Sequence, residues 1–210
     1  MINVPAVTDY LTGLEPDPDP LLAEMRAHGE RDRIPIVFHV TGGLLEVLAA
    51  ATQAQRAVEV GTAIGVSTLH LARGGVHVTS FEVDPERHAA ARDYLARDGR
   101  SDQVDLRLQD ATEGLATLEP GSFDLAFIDG PKAGYSTHLD QVIPLLKPGG
   151  LLLVDNVLMG GGAASGEQSN QWSAESIELI RAFNESLKTR GDVRATFLPV
   201  GDGVALAVRR

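Results

Sequence analysis

From residue 56 onward the chain alternates short apolar runs with amphipathic stretches. AVEV (57–60) precedes the helical pattern STLHLAR, VHVTSFEV (76–83) precedes PERHAAARDYLAR, and VDLRL (104–108) precedes a short helical stretch near ATEGLATL. The alternation continues with FDLAFID (123–129), a helix over YSTHLDQVIPLL and the run GLLLVD (150–155). Apolar runs bounded by turn residues read as strands, and strands alternating with helices predict a parallel sheet covered on both faces. Ahead of this region, residues 4–52 read as helical, interrupted by EPDPDP and by Pro35. The last third carries a Gly-rich loop, MGGGAASGEQSNQ, a helix over AESIELIRAFNESLKT, and two strand-like runs, VRATFLPV and GVALAVRR, joined around Gly201-Asp202-Gly203. So tight a connection predicts an antiparallel hairpin at one edge of the sheet. No repeat or break in composition marks a second domain. The expectation is one α/β domain over 1–210, with a helical cap (1–52) and a core (55–210).

Composition adds exclusions. With 210 residues, 43% hydrophobic and 22% charged, the chain fits a globular domain with a core of its own. Eighteen basic residues against 29 acidic ones give a net charge of −11, which repels a phosphate backbone and argues against nucleic acid as a partner. There is no cysteine, so thiolate metal sites and cysteine nucleophiles are excluded. The N-terminus lacks a basic region followed by an apolar stretch, and no apolar run approaches the roughly 20 residues that span a bilayer. A cytoplasmic location without a membrane partner is the expectation. Only Lys132, Lys147 and Lys188 are lysines. Lys147 reads as a helix end, where a cation meets the helix dipole, and Lys188 as surface.

Two constellations carry candidate chemistry. In the first, Glu59, Gly61, Gly65 and Ser67 fall in VEVGTAIGVS, where a strand passes into a helix, and glycines there let backbone approach a ligand. Glu82 ends the next strand, 21 residues after Gly61 (82 − 61), the distance at which a carboxylate holds a ribose diol. Together they suggest a nucleoside cofactor, with Asp110 near its base. In the second, Asp129 and Lys132 close the fourth strand and Asp155-Asn156 the fifth. Neighbouring parallel strands would bring two carboxylates and an amide oxygen together, a hard-oxygen set suited to magnesium or calcium rather than zinc or copper. Each aspartate alone is equally at home capping a helix. The histidines show no ligand spacing; His70 and His138 read as structural. Trp172 reads either as a pocket wall or as packing.

The ordered set of segments resembles the cation-dependent class I O-methyltransferases, the family of caffeoyl-CoA and catechol O-methyltransferases. It comprises YLTGLEPDPDPLLAEMR, VEVGTAIGVSTLHLA, FEVDPER, FDLAFIDGPKAGY, LLKPGGLLLVDNVLMGG and LPVGDGVALAVRR, nearly the whole chain. The resemblance implies a Rossmann-like fold with a seven-stranded, mostly parallel sheet whose last strand is antiparallel. It implies that Glu59, Gly61, Gly65 and Ser67 line an S-adenosylmethionine site, that Glu82 holds the ribose, and that Asp110 and Ala111 sit by the adenine. Asp129, Asp155 and Asn156 match the ligands of a divalent cation, magnesium first, with manganese or calcium as alternatives; Asp129 also borders the cofactor. Lys132 matches the general base. The implied partners are a small phenolic substrate and a second copy of the chain. Two departures stand out: Pro131 replaces a second aspartate found in many members, and Met159 replaces a tryptophan of the plant acyl-CoA enzymes. The latter disfavours a plant-like phenylpropanoid-CoA substrate.

The expected reaction moves a methyl group from the sulfonium to one of two vicinal phenolic hydroxyls, with neutral Lys132 taking the proton. Two other classes compete. A nicotinamide oxidoreductase would also use glycine turns and Glu82, although G-x-x-x-G is not its spacing. An inactive binding relative would lack ligands, yet Asp129, Lys132, Asp155 and Asn156 are all present.

Overall fold

The computed structural model describes Tyr10, Gly13, Leu14 and residues 19–210, so most of the helical reading of residues 4–18 lies outside the described residues. Helix α1 (Pro20–Asp32) begins where Asp19 accepts a hydrogen bond from the Leu22 amide (2.8 Å), with Pro20 in the first turn. After an extended break at residues 34–38, around Pro35, comes α2 (His39–Ala51). The core then follows the sequence reading closely: β1 (Arg56–Val60), α3 (Val66–Arg73), β2 (His77–Glu82), α4 (Pro85–Arg97), β3 (Val104–Leu108), α5 (Ala111–Leu115), β4 (Phe123–Ile128) and α6 (Tyr135–Leu145). It ends with β5 (Leu146–Val154), the one-turn α7 (Gly162–Ser165), α8 (Ala174–Thr189), β6 (Val193–Leu198) and β7 (Val204–Arg209).

The seven strands form one sheet in the order β3-β2-β1-β4-β5-β7-β6, with β7 antiparallel to both of its neighbours and the other pairs parallel. Side chains alternate between two cores. Val58, Val60, Ile128 and Val154 pack under α6 and α8 with Leu139, Ile143, Ile180 and Phe183. Ala57, Leu125, Phe127 and Leu153 pack under the helices of the other face with Met25, Leu45, Leu69 and Tyr94. Burial on both faces explains why the central strands are apolar almost throughout.

Two local readings need correction. Strand β5 starts at Leu146 rather than Gly150, because Leu146 already pairs with Phe123; the register slips before Leu151 meets Leu125, and Pro148-Gly149-Gly150 sits at this irregularity. Lys147 therefore lies in a strand, not in a helix end, and pairs with Asp124 at 2.6 Å.

Strand order reverses between β1 and β4, so their carboxyl ends splay the following loops to opposite sides and open a crevice between them. Backbone bonds carry the sheet pairing one residue past the strands: the Asp129 amide donates to Val60 O (2.9 Å) and the Asp155 amide to Ile128 O (3.1 Å). The β6–β7 turn docks beside them, with Asp202 O accepting from the Leu158 (2.9 Å) and Met159 (3.0 Å) amides. Among the described residues, no helix is long and apolar enough to cross a membrane.

Candidate active site

The crevice is a cleft of about 610 Å³ over the carboxyl ends of the parallel strands. One half is built by β1, β2 and the start of α5. Gly61 adopts φ +95°, and a Cβ there would lie 2.2 Å from the Asp129 carbonyl oxygen, so glycine is required both by conformation and by the close approach of two strand ends. Both Glu82 oxygens are held by backbone: Oε2 accepts from the Ala63 amide (2.8 Å), and Oε1 from the Val83 and Asp84 amides (2.9 Å each). That fixes the carboxylate on the wall and leaves one lone pair, on Oε2, for a ligand's hydroxyl. Asp110 caps α5 through the Thr112 amide (2.8 Å) and still borders the cleft. The capping and site readings of this aspartate are compatible.

Gly61, Ser67, Glu82, Asp110, Ala111 and Asp129 all line the cleft. Glu59 and Gly65 do not; they stand behind its wall. Glu59 is fully buried, its Oε2 accepting from Thr68 Oγ1 (2.5 Å) and Ser80 Oγ (2.6 Å), while burial raises its pKa. It braces the first strand-helix turn through Oε2, while Oε1 is buried without a hydrogen-bond partner among the described residues. Gly65, at φ +91°, starts α3 against Ala91.

The other half is the set Asp129, Lys132, Asp155 and Asn156, which the fold brings together as the spacing predicted. Lys132 Nζ donates to Asn156 Oδ1 (2.6 Å), to Tyr135 Oη (2.6 Å) and to Gly130 O (3.1 Å), and lies 3.4 Å from Asp129 Oδ1. Tyr135 Oη in turn donates to Asp155 O (3.0 Å). Asp155 is 1% exposed; its Oδ1 accepts from the Asn156 amide (2.8 Å), while Oδ2 is buried without a hydrogen-bond partner among the described residues. Asn156 sits at φ +61°, a left-handed conformation that asparagine tolerates better than most residues. Burial and the Asp129 charge push the Asp155 carboxyl up to about 7, and burial raises Asp129 as well. Desolvation lowers the Lys132 amine against the opposing pull of Asp129 and Asp155. A buried carboxylate with an unpartnered oxygen, a half-buried one that repels it, and an adjacent amide oxygen fit a hard divalent cation. Among the described residues no three His, Cys, Asp or Glu side chains cluster at ligand distance, so the candidate set is two carboxylates plus Asn156.

Sequence reasoning missed two residues of the cleft wall, Asp202 and His138, and one buried behind it, Tyr135. Tyr135 orients Lys132, and its position three residues on, at the start of α6, was the available signal. Asp202 reads as a turn residue but lines the cleft, buried, with Oδ2 unpartnered among the described residues. His138 reads as structural, yet it lines the cleft beside Thr112. Trp172 is a cleft wall, its ring 5.4 Å from Lys132 Nζ. His70 is structural as expected, bonded to Glu46 at 2.9 Å.

A family model described as O-methyltransferase matches residues 17–210. The chain belongs to the O-methyltransferase family. The catechol O-methyltransferase of Mycobacterium tuberculosis is 37% identical to this O-methyltransferase over 165 residues, 76% of this chain and 75% of the relative. The crystal structure of cofactor-bound Rv0187 from MTB superposes with a TM-score of 0.86 at 32% identity, covering 100% of this chain and 99% of that one. The O-methyltransferase TomG from Streptomyces achromogenes, solved in complex with SAM, gives 0.83 at 29% identity, covering 97% and 96%. The Rossmann-like methyltransferase fold stands, and the nicotinamide oxidoreductase alternative falls with the family match.

Proposed function

We propose that this O-methyltransferase transfers the methyl group of S-adenosylmethionine to a phenolic hydroxyl, one of a vicinal pair on a small aromatic acceptor, with Lys132 as general base. The observation that carries the reading is the convergence of the Lys132 amine on Asn156 (2.6 Å) and Asp129 (3.4 Å) beside the buried Asp155, at the edge of a cleft whose other half presents Glu82 on fixed backbone donors. Glu82 takes a ribose hydroxyl, Asp110 and Ala111 border the adenine, and the carboxylates around the crevice favour a cationic sulfonium. Asp129, Asp155 and Asn156 hold a divalent cation, magnesium first. When bound, that cation supplies Lewis acidity that lowers the pKa of a phenolic hydroxyl.

Lys132 is suited to receive the proton because desolvation favours its neutral form, and because Tyr135 and the Gly130 carbonyl fix its nitrogen at the cleft edge. Holding acceptor oxygen and methyl carbon in line by residues of two rigid sheet halves removes much of the entropic barrier. The same reading places the enzyme in the cytoplasm as a homodimer. Exposed Val40 and Val47 on α2 are apolar positions that a second copy could cover.

The decisive experiment is methyl transfer to catechol with and without magnesium after exhaustive chelation, in wild type and Asp155→Ala. Activity that survives chelation, or an alanine variant with unchanged turnover, would refute the cation's role. Isothermal titration without S-adenosylmethionine binding would remove the donor.

A further inference from the structure

Helix α5 has only five residues, too few to hold its own shape, and its first turn forms the wall of the cleft beside Asp110. Thr112 in that turn is held from outside at three points. Its amide donates to Asp110 Oδ1 (2.8 Å), its carbonyl accepts from Gln141 Nε2 (3.0 Å), and its hydroxyl lies 3.4 Å from His138 Nε2. Gln141 and His138 both belong to α6, whose first residue, Tyr135, holds Lys132. His138 is 6% exposed, and its Nδ1 is buried without a hydrogen-bond partner among the described residues. The ring is seated on Gly134, where a Cβ would lie 2.6 Å from Cε1 and 3.0 Å from Nδ1. These contacts decide where the protons sit. Burial disfavours the imidazolium against the opposing pull of Asp110, so the ring is neutral and carries one proton. With that proton on Nδ1, a buried N–H would press on Gly134 without an acceptor; with it on Nε2, Nδ1 turns only a lone pair toward the glycine. The second tautomer therefore holds, and Nε2 donates to the Thr112 oxygen.

We propose that His138 is a positioning residue for the cofactor: it orients the Thr112 hydroxyl so that Thr112 donates a hydrogen bond to a ring nitrogen of the purine. The proposal rests on the reading that places the adenine beside Asp110 and Ala111. A hydroxyl that accepts from His138 keeps its own hydrogen for another partner, and Thr112 lines the cleft. The unsubstituted ring nitrogens of a purine are acceptors only, so a donor at this place recognises the base. The reverse orientation, with the hydroxyl hydrogen turned to His138, would set a lone pair against a lone pair. His138 thus acts on the base through Thr112, while Gln141 fixes the backbone that carries the hydroxyl.

Calorimetry measures binding of the demethylated cofactor, S-adenosylhomocysteine, and of its 1-deaza, 3-deaza and 7-deaza analogues to wild type, Thr112→Val, His138→Gln and His138→Asn. In wild type, the analogue lacking the nitrogen that Thr112 meets should bind about five- to tenfold more weakly than the parent. Thr112→Val should abolish that deficit. His138→Gln places an amide N–H near the position of Nε2 and should keep it, whereas His138→Asn reaches only the position of Nδ1 and should lose most of it. A merely structural histidine would give losses that fall equally on the parent and its analogues. Nitrogen-15 spectra of the wild-type imidazole at neutral pH should show a protonated Nε2 and a bare Nδ1. The absence of any deficit that Thr112→Val removes, an equal response of the two His138 variants, or a ring protonated on Nδ1 overturns the proposal. If neither His138 variant folds, the ring tautomer and the Thr112→Val comparison decide. Failure of the wild type to bind S-adenosylhomocysteine overturns the cofactor reading itself.

Discussion

Asp155→Asn should make the metal-free protein more stable at alkaline pH, although it removes a residue placed at the centre of the site. Folding raises the Asp155 carboxyl from 3.8 to about 7, by burial first and by repulsion from Asp129 second. A carboxyl raised in this way favours folding while protonated. Its contribution is complete below the unfolded value and is lost as pH rises through the folded one. Going from 3.8 to about 7 corresponds to roughly 4 kcal/mol of destabilisation at pH 8, undiminished by solvent because the residue is 1% exposed. Asparagine keeps an acceptor for the Asn156 amide but buries an amide group without a partner, which costs about 2 kcal/mol. The net gain is about 2 kcal/mol at pH 8, or a Tm higher by roughly 4–8 °C, and it shrinks to about zero near pH 5. Calorimetry of both proteins in chelator at the two pH values measures it. Magnesium should then raise the wild-type Tm at pH 8 far more than that of the variant. A variant that melts below wild type at pH 8 in chelator, or an equal magnesium response, would refute the argument that repulsion between these carboxylates is what a cation relieves.

Three further outcomes follow from the same geometry. Lys132→Met should lower turnover by about 10²–10⁴ with little change in S-adenosylmethionine affinity. Because burial lowers the lysine's pKa, the wild-type rate should rise with pH through that pKa as the amine becomes neutral, and a pH–rate profile of the variant should lack this limb. Tyr135→Phe deletes the hydroxyl between Lys132 Nζ and Asp155 O and should reduce kcat by about tenfold while leaving cofactor titration unchanged; equal losses in both would make the tyrosine merely structural. Gly61→Ala should cost at least about 1–2 kcal/mol for its left-handed φ alone and weaken cofactor binding, since its Cβ would press on the Asp129 carbonyl; thermal melts and calorimetric titration test both.

The alternation of apolar runs and helical patterns made the sheet legible because central strands buried on both faces leave little room for polar residues. It located β3 and α8 to the residue and β1, β2 and β4 within one, whereas β5 lost its first half to Pro148-Gly149-Gly150. The apolar run begins only after them, so the irregular pairing that carries the strand back to Leu146 left no pattern to read. In the site, residues at the ends of adjacent strands were legible, since Asp129 and Asp155 follow from strand order alone. That Glu59 stands behind the cleft wall was not legible, because a place at the end of β1 does not say which neighbours its side chain meets; the hydroxyls of Thr68 and Ser80 hold one of its oxygens there. Asp202 was invisible for a different reason: its place depends on a hairpin turn folding back onto the segment after β5, a contact between positions some 44 residues apart (202 − 158) that no local pattern encodes.

The two halves of the cleft meet at one backbone contact. Gly61 follows β1 on the side proposed for the cofactor, Asp129 follows β4 on the side proposed for the cation, and the Asp129 carbonyl lies against the Gly61 Cα. The Asp129 amide is also tied to Val60 O, so the separation between the halves is set by sheet hydrogen bonds rather than by mobile loops. A methyl group passed from one half to an oxygen held by the other needs that separation fixed to within a fraction of an ångström. This explains why the reversal of strand order between β1 and β4 matters here: it opens a crevice wide enough for two ligands while keeping the strands on its two sides adjacent in the sheet.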